Sequence, residues 1–240
     1  VVKTTRDWGK VMIATTYTLR SNADRIEMQT TMTNTGATPQ AGLLSGQTLW
    51  PSAGYFFGTP GIRDLQEGPS TGALANRAVA YDEDWSITLH APYMNYVGSR
   101  SKDLFLQHTL QPGESRTFDA WLQVGPRGDL SPVVAAEIER GHLPAGTLRG
   151  SVHARAGKPV NEPVVVVSKQ GTPFAWGFGH DGRFEMSLPA GDYEAHATGK
   201  GYSQGKSVPV RIAADAVQAV DFSDLEPPGQ VDFTVVDART

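Results

Sequence analysis

Alternation with a period of two restricts this chain more than any other feature. In "DRIEMQTTMTNTG", Ile26, Met28, Thr30 and Met32 fall on one side, while Glu27, Gln29, Thr31 and Thr33 fall on the other. Successive side chains of a strand point to opposite faces, so the segment reads as a strand with one face in a core and one in water. "NTG" stops it with a turn. "DLFLQHTLQPGESRTFDAWLQVG" gives two more strands around "QPGES". In the second, Phe118, Ala120, Leu122 and Val124 alternate with Thr117, Asp119, Trp121 and Gln123. "WSITLHA" is a shorter strand of the same kind. Twenty-six glycines and sixteen prolines in 240 residues exceed ordinary usage and supply the turns that many short strands need.

One segment follows a helical pattern. "GDLSPVVAAEIERGH" places Ser131 as N-cap, Pro132 at the first helical position and Gly141 just past the end. Val133, Ala136 and Ile138 form its narrow apolar stripe, and "LPAG" follows as a linker. Strands resume at Thr147. Val164 to Val167 form an apolar run, and "GRFEMSLPAGDYEAHATGKGY" reads as a hairpin. Its arms carry Phe184, Met186 and Leu188, then Tyr193, Ala195 and Ala197, with "PAGD" as the turn. "SVPVRIAADAVQAVDFSDL" adds two short strands. The expected fold is all-β. Residues 1–144 form a large β-sandwich with one short helix, and residues 145–224 a small seven-stranded β-sandwich. Residues 225–240 are a proline linker, "EPPGQ", and the start of a further unit.

The composition removes several chemistries. With no cysteine, a disulfide framework, a thiolate zinc site and a cysteine nucleophile are all excluded. A formal net charge of -4 gives no electrostatic reason to expect nucleic acid as a partner. No apolar run approaches the roughly 20 residues that span a bilayer. The chain opens on "VVKTTRDWGK" and closes on "QVDFTVVDART", which reads as an excised piece of an exported protein whose leader is gone. The expected location is the periplasm, the cell surface or the medium of a bacterium.

Candidate acid–base and metal groups are sparse. The histidines are 90, 108, 142, 153, 180 and 196, with none of the short ligand spacings of a metal site. His90 and His108 fall at strand positions, where a satisfied or surface histidine is the ordinary reading. His180-Asp181 is the best local pair, and a turn before Phe184 accounts for it. "GLLSGQ" holds a serine without the G-x-S-x-G elbow that would expose a nucleophile. No catalytic, cofactor or metal residue is assigned.

Residues 147–223 resemble a carboxypeptidase regulatory-like domain of the transthyretin-like (prealbumin-like) sandwich type. "GSVHARAGKPVNEPVVVV", "HDGRFEMSLPAGDYEAHATGKGY" and "VDF" carry the resemblance. In it Asp181-Gly182 is a tight turn with a positive φ at glycine, Phe184 is the next core residue, and Tyr193 plugs the core from the return strand. Glu162-Pro163 stands where the family usually has a small residue, which affects the strand start and not the fold. The resemblance implies a non-catalytic module appended to an exported enzyme or transporter. Before it, "YTLRSNADRIEMQTTMTNTG", "LQPGESRTFDAWLQVG" and "GDLSPVVAAEIE" together resemble galactose-mutarotase-like sandwiches. "GLLSGQTLWPSAGYFFGTPG" resembles the segment upstream of the metal-binding domain in exported metallohydrolases of the polymerase-and-histidinol-phosphatase superfamily.

Aromatic residues on loops are the remaining candidates for contact with a ligand or partner. These are Trp50, Tyr55 and Phe56, then Tyr93 and Tyr96 in "APYMNY", and Trp176 in "PFAWGFG". Flat apolar faces stack on a sugar or clamp a neighbouring domain, and they equally plug the open end of a sandwich. The expected role is a non-catalytic accessory region that positions or targets a hydrolase domain, metal-dependent by resemblance, elsewhere in the same chain. Its partners are neighbouring domains, with no cofactor. The alternatives are a carbohydrate-binding module and an aldose-epimerase-like enzyme, the latter needing a general acid and base flanking a sugar ring.

Overall fold

The computed structural model describes residues 1–48, 56–58, 68–69, 77–82, 84–93, 96–98, 103–229 and 232. The chain divides into two compact units. One comprises Val1–His142 with Thr172–Ala175, and the other Leu143–Gly171 with Trp176–Thr240.

The first unit starts with a long hairpin, β1 (Val2–Trp8) and β2 (Val11–Leu19), reversed at Gly9, whose φ of 68° suits glycine. β3 (Arg25–Asn34), β4 (Gln40–Thr48), β5 (Phe56–Gly58) and β6 (Gly68–Pro69) follow. Then come β7 (Arg77–Tyr81), β8 (Trp85–His90), β9 (Tyr96–Gly98), β10 (Asp103–Leu110), β11 (Ser115–Pro126) and the helix α1 (Ser131–Gly141). Seven strands form one sheet in the order β1-β2-β3-β11-β8-β7-β5, and four form a second in the order β4-β10-β9-β6. Val11, Met32 and Phe118 of the first sheet pack with Leu110 of the second, with Ile13, Leu43 and Leu106 around them. Met28, Leu89, Ala91 and Ala120 continue this core. The sandwich face expected of β3 is thus the one observed. On β11 the expected face holds through Phe118 and Ala120, but Val124 at its far end is exposed and Gln123 is buried. The reason is α1, which covers the other side of the sheet there.

The helix begins one residue off its expected cap. Leu130 is the N-cap, and Asp129 Oδ1 accepts from both the Ser131 amide (2.8 Å) and the Ser131 hydroxyl (2.7 Å). At the other end Gly141 is still helical, and His142 takes the left-handed conformation that closes the last turn. Its buried stripe is Val133, Val134, Ala136 and, unexpectedly, Glu137.

The strands after α1 are β12 (Ala145–Ala154), β13 (Pro163–Lys169), β14 (Thr172–Phe178, of which the part from Trp176 belongs to the second unit), β15 (Arg183–Pro189), β16 (Gly191–Gly199), β17 (Val208–Ile212), β18 (Val217–Ala219) and β19 (Phe222–Leu225). One sheet runs β14-β13-β16-β17 and the other β15-β12-β18, with β19 also on β12. β18 and β19 lie in succession along one edge of β12, both parallel to it. They behave as one interrupted strand, so the sandwich has the expected seven strand positions. The interruption falls at Gly150: a Cβ there would meet the Val220 carbonyl oxygen at 1.6 Å, so only glycine admits the crossing backbone.

The segment around "PAGD" departs from expectation. β15 pairs with β12 and β16 with β13 and β17, so the two arms lie in different sheets and are not a hairpin. Phe184, Met186 and Leu188 still share the core with Tyr193, Ala195 and Ala197, all buried. Alternation reports which face is buried. It does not report whether two strands meet edge to edge or across a core. The Asp181-Gly182 turn does match: φ is 48° and 72°, and His180 and Arg183 exchange two backbone hydrogen bonds of 2.9 Å. Both central residues are left-handed, as a primed two-residue turn requires.

Candidate functional site

Three arrangements bring together groups capable of chemistry. The first lies in the first unit, on the face of the large sheet beneath α1. Cross-strand register puts Arg77 opposite His90, His90 opposite Trp121, and Gln123 opposite Thr88, so Arg77, His90 and Gln123 share that face. Glu137 reaches them from the helix. His90 is fully buried, Arg77 and Gln123 are each 2% exposed, and Glu137 is 7% exposed. His90 Nδ1 donates to Glu137 Oε1. Arg140 Nη2 donates to Glu137 Oε2 at 2.5 Å, and Arg77 Nη1 lies 3.8 Å from the same oxygen.

Gln123 fixes the polarity of this network. Its Nε2 donates to Asp24 Oδ2 (2.7 Å) and to the Pro132 carbonyl (3.3 Å), leaving Oε1 to accept from His90 Nε2 at 2.8 Å. Both imidazole nitrogens are thus engaged, one by the Glu137 carboxylate and the other by the Gln123 amide. Burial pushes the Glu137 carboxyl up, but the hydrogen bonds from His90 and Arg140 outweigh it and hold the group at about 2. Burial lowers the Arg77 guanidinium to about 10, against the opposing pull of Glu137. Beside the cluster Arg25 lies over the Trp121 ring, 4.2 Å from its centroid, and donates to both oxygens of Glu139. A histidine–glutamate pair has the chemistry of a general acid and base. Here both partners are turned inward and hydrogen-bonded, and they tie the helix to the sheet. His90 was expected at a satisfied strand position, and it is one. Its partner is 47 residues away, and the available signal was the charged residue within the helix's apolar stripe.

The second arrangement is a serine–histidine pair inside the same sandwich. Ser45 on β4 and His108 on β10 stand diagonally on neighbouring strands, with Ser45 Oγ 2.6 Å from His108 Nε2. Ser45 Oγ also lies 2.8 Å from Met32 Sδ, and the His108 ring packs on Phe118 at 5.2 Å. Both residues are buried, and burial lowers the histidine's proton affinity. Ser45 borders a cavity of about 150 Å³ lined also by Thr15, Thr30 and Tyr93. Among the described residues no carboxylate hydrogen-bonds His108 Nδ1, so none of them supplies the orienting member of a nucleophilic triad. Tyr93, one of the aromatic candidates, is half-buried here against Phe118 at 5.1 Å, and burial raises its phenol pKa.

The third is an open groove of about 610 Å³ on the second unit. Arg149, Ser151, Phe178, His180, Arg183 and Glu185 line it. His180 Nε2 lies 3.2 Å from Asp181 Oδ2, both exposed. Ser151 donates through its hydroxyl (2.6 Å) and amide (2.9 Å) to Asp221 Oδ1, and these bonds lower the Asp221 pKa. Trp176, half-buried on β14, is two residues from Phe178. Of the other aromatic candidates, Phe56 and Tyr96 belong to β5 and β9, while Trp50 and Tyr55 lie outside the described residues. Among the described residues no three histidine or acidic side chains are grouped to hold a metal ion. Among them, too, no helix is long and apolar enough to cross a membrane.

Among the described residues the fold is all-β, with mostly antiparallel sandwiches and one short helix. No family model matches the sequence, and no curated protein matches it. Among solved structures the chain is similar to a polysaccharide lyase, at 12% identity and a TM-score of 0.35 over 91% of this chain and 35% of that one. It is also similar to the TIE protein of Bacillus anthracis, at 11% identity and a TM-score of 0.30 over 92% of this chain and 42% of that one. The chain thus spans less than half the length of either structure.

Proposed function

We propose that this chain is a non-catalytic accessory region of an exported multi-domain protein, positioning or targeting a hydrolase domain carried elsewhere. The single observation behind this reading is the burial of the His90–Glu137 pair. The constellation best suited to acid–base work is sealed under α1 and committed to holding the helix on the sheet. The resemblances to regulatory-like and mutarotase-like sandwiches point the same way. The test is turnover. Mutarotation of aldoses followed by polarimetry, and product release from a panel of polysaccharides, are expected to stay at the uncatalysed rate at high protein concentration. Turnover that disappears in Glu137→Gln, with the variant still folded, would overturn the proposal.

The groove on the second unit favours a second reading, a glycan-binding module. Two arginines, a histidine and an aromatic edge suit an acidic oligosaccharide, whose carboxylates the guanidinium groups would hold as forked pairs. Calorimetry with neutral and uronic-acid oligosaccharides separates the two. Binding confined to the acidic series and lost in Arg183→Gln supports the module, and no heat with either series removes it.

A further inference from the structure

β1 is the outer strand of the large sheet, and all seven of its residues are exposed. Its pairing with β2 runs unbroken from Val2↔Tyr17 to Trp8↔Val11. A strand edge offers unpaired amide and carbonyl groups to another chain, and proteins commonly blunt such edges with proline, bulges or very short strands. β1 has none of these: it is seven residues long, free of proline and regular in register. It also carries two large exposed apolar side chains, Val2 at 60% and Trp8 at 62%. By alternation Val2, Thr4, Arg6 and Trp8 continue the face that β2 turns to the core through Val11 and Ile13, but beyond the cover of the second sheet.

We propose that β1 pairs antiparallel with β1 of a second copy, about a two-fold axis through Thr5. The charge pattern selects both partner and register. In that register Val2 faces Trp8, Lys3 faces Asp7, Thr4 faces Arg6 and Thr5 faces itself. Each opposite-charge pair and each apolar pair occurs twice by symmetry. The neighbouring registers are slips of two residues, because a slip of one would turn one copy's side chains to the wrong face: one sets Val2 against Arg6 and Lys3 against Thr5, and the other sets Arg6 against itself and Asp7 against Thr5. Like charges directly opposite are unfavourable, and apolar and opposite-charge pairs are favourable, so the Thr5-centred register is preferred over either neighbour. An isologous contact of this kind closes at two copies, because each copy spends its only free β1 edge on the other. The two seven-stranded sheets become one continuous sheet, and the exposed Val2 and Trp8 are covered.

The test uses the protein as it stands, by sedimentation velocity over a concentration series. The wild type is expected to dimerise reversibly. Lys3→Asp and Asp7→Lys each turn both symmetry-related pairs repulsive, and each should weaken the dimer roughly tenfold. The double swap Lys3→Asp/Asp7→Lys restores opposite signs and should restore the dimer. Exposed edge positions tolerate these changes, and circular dichroism checks each variant. The chain has no cysteine, so Thr5→Cys gives one thiol per copy on the axis. With oxidised glutathione as the two-electron acceptor, it should yield a disulfide-linked dimer. A wild type that stays monomeric at every concentration overturns the proposal. So does a dimer indifferent to the single reversals, or one whose Thr5→Cys form fails to cross-link.

Discussion

Replacing Glu137 by glutamine tests the physics of the buried cluster directly. The carboxylate is nearly sealed from water and is the shared acceptor for His90 and Arg140, with Arg77 beside it. Glutamine keeps the size and loses the charge, leaving the Arg77 and Arg140 guanidinium groups and the His90 ring facing a neutral amide. A carboxyl held at about 2 in the fold and at 4.5 in the open chain corresponds to about 3 kcal/mol of folding free energy. Removing one partner of a buried ion pair gives a similar figure, about 3 to 5 kcal/mol. The sign follows from the depressed value: the contribution is complete above about pH 4.5 and disappears as pH falls toward 2. Urea unfolding of wild type and Glu137→Gln, followed by tryptophan fluorescence between pH 7 and pH 2.5, should show a gap of about 3 kcal/mol at neutral pH that narrows below pH 4.5. In thermal scans the same gap is a drop of roughly 6 to 12 °C in the transition of the first unit. A neutral-pH gap within about 0.5 kcal/mol, the usual range for a surface substitution, would refute the reasoning. So would a gap that does not change with pH.

Other positions give sharper local tests. Leu148→Ala removes a fully buried side chain from β12 and should cost about 2 to 5 kcal/mol in denaturant unfolding. Gly150→Ala must displace the Val220 backbone, whereas Gly157→Ala meets no atom within 4 Å and bears only the strain of its φ of 81°, about 1 kcal/mol. The first variant should therefore be the less stable by a clear margin, and equal melting temperatures would contradict the crossing at Gly150. Tyr193 is pushed up to about 12 by burial, and its hydroxyl donates to the Pro189 carbonyl at 2.9 Å. Stability from keeping this phenol neutral is complete below pH 10 and lost toward pH 12. In Tyr193→Phe the fall in stability over that range should be shallower than in wild type, by urea titration.

The parts legible in the sequence were those where one side chain reports one face. Ile26, Met28 and Met32 on β3, and Phe184, Met186 and Leu188 on β15, announce their inner faces by alternation, and the structure buries all of them but Ile26, which is half-buried against the same core. Asp181-Gly182 announces its turn because few residue pairs accept two left-handed conformations. What could not be read depends on partners far along the chain. Gln123 and His90 look like members of a wet face until α1 is laid over them, and nothing near either residue indicates that cover. Ser45 and His108 are 63 residues apart and meet only because β4 and β10 are neighbours. The helix boundary lies one residue earlier than expected, and the Ser131 hydroxyl and amide that were expected to cap it are turned to Asp129 Oδ1. The sheet assignment of β15 and β16 failed because a core filled from both sides carries the same pattern as one filled from adjacent strands.

The parallel lie of β18 and β19 along β12 has a mechanical consequence. The polypeptide joins this sandwich at Ala145, at one end of β12, and departs after Leu225, which is paired with Ala154 at the other end. Nine residue steps at about 3.3 Å separate the two ends by about 30 Å. The points where the chain enters and leaves this sandwich therefore lie at opposite ends of β12. Tension between them slides β12 past its parallel neighbours, so their hydrogen bonds resist together instead of opening one after another.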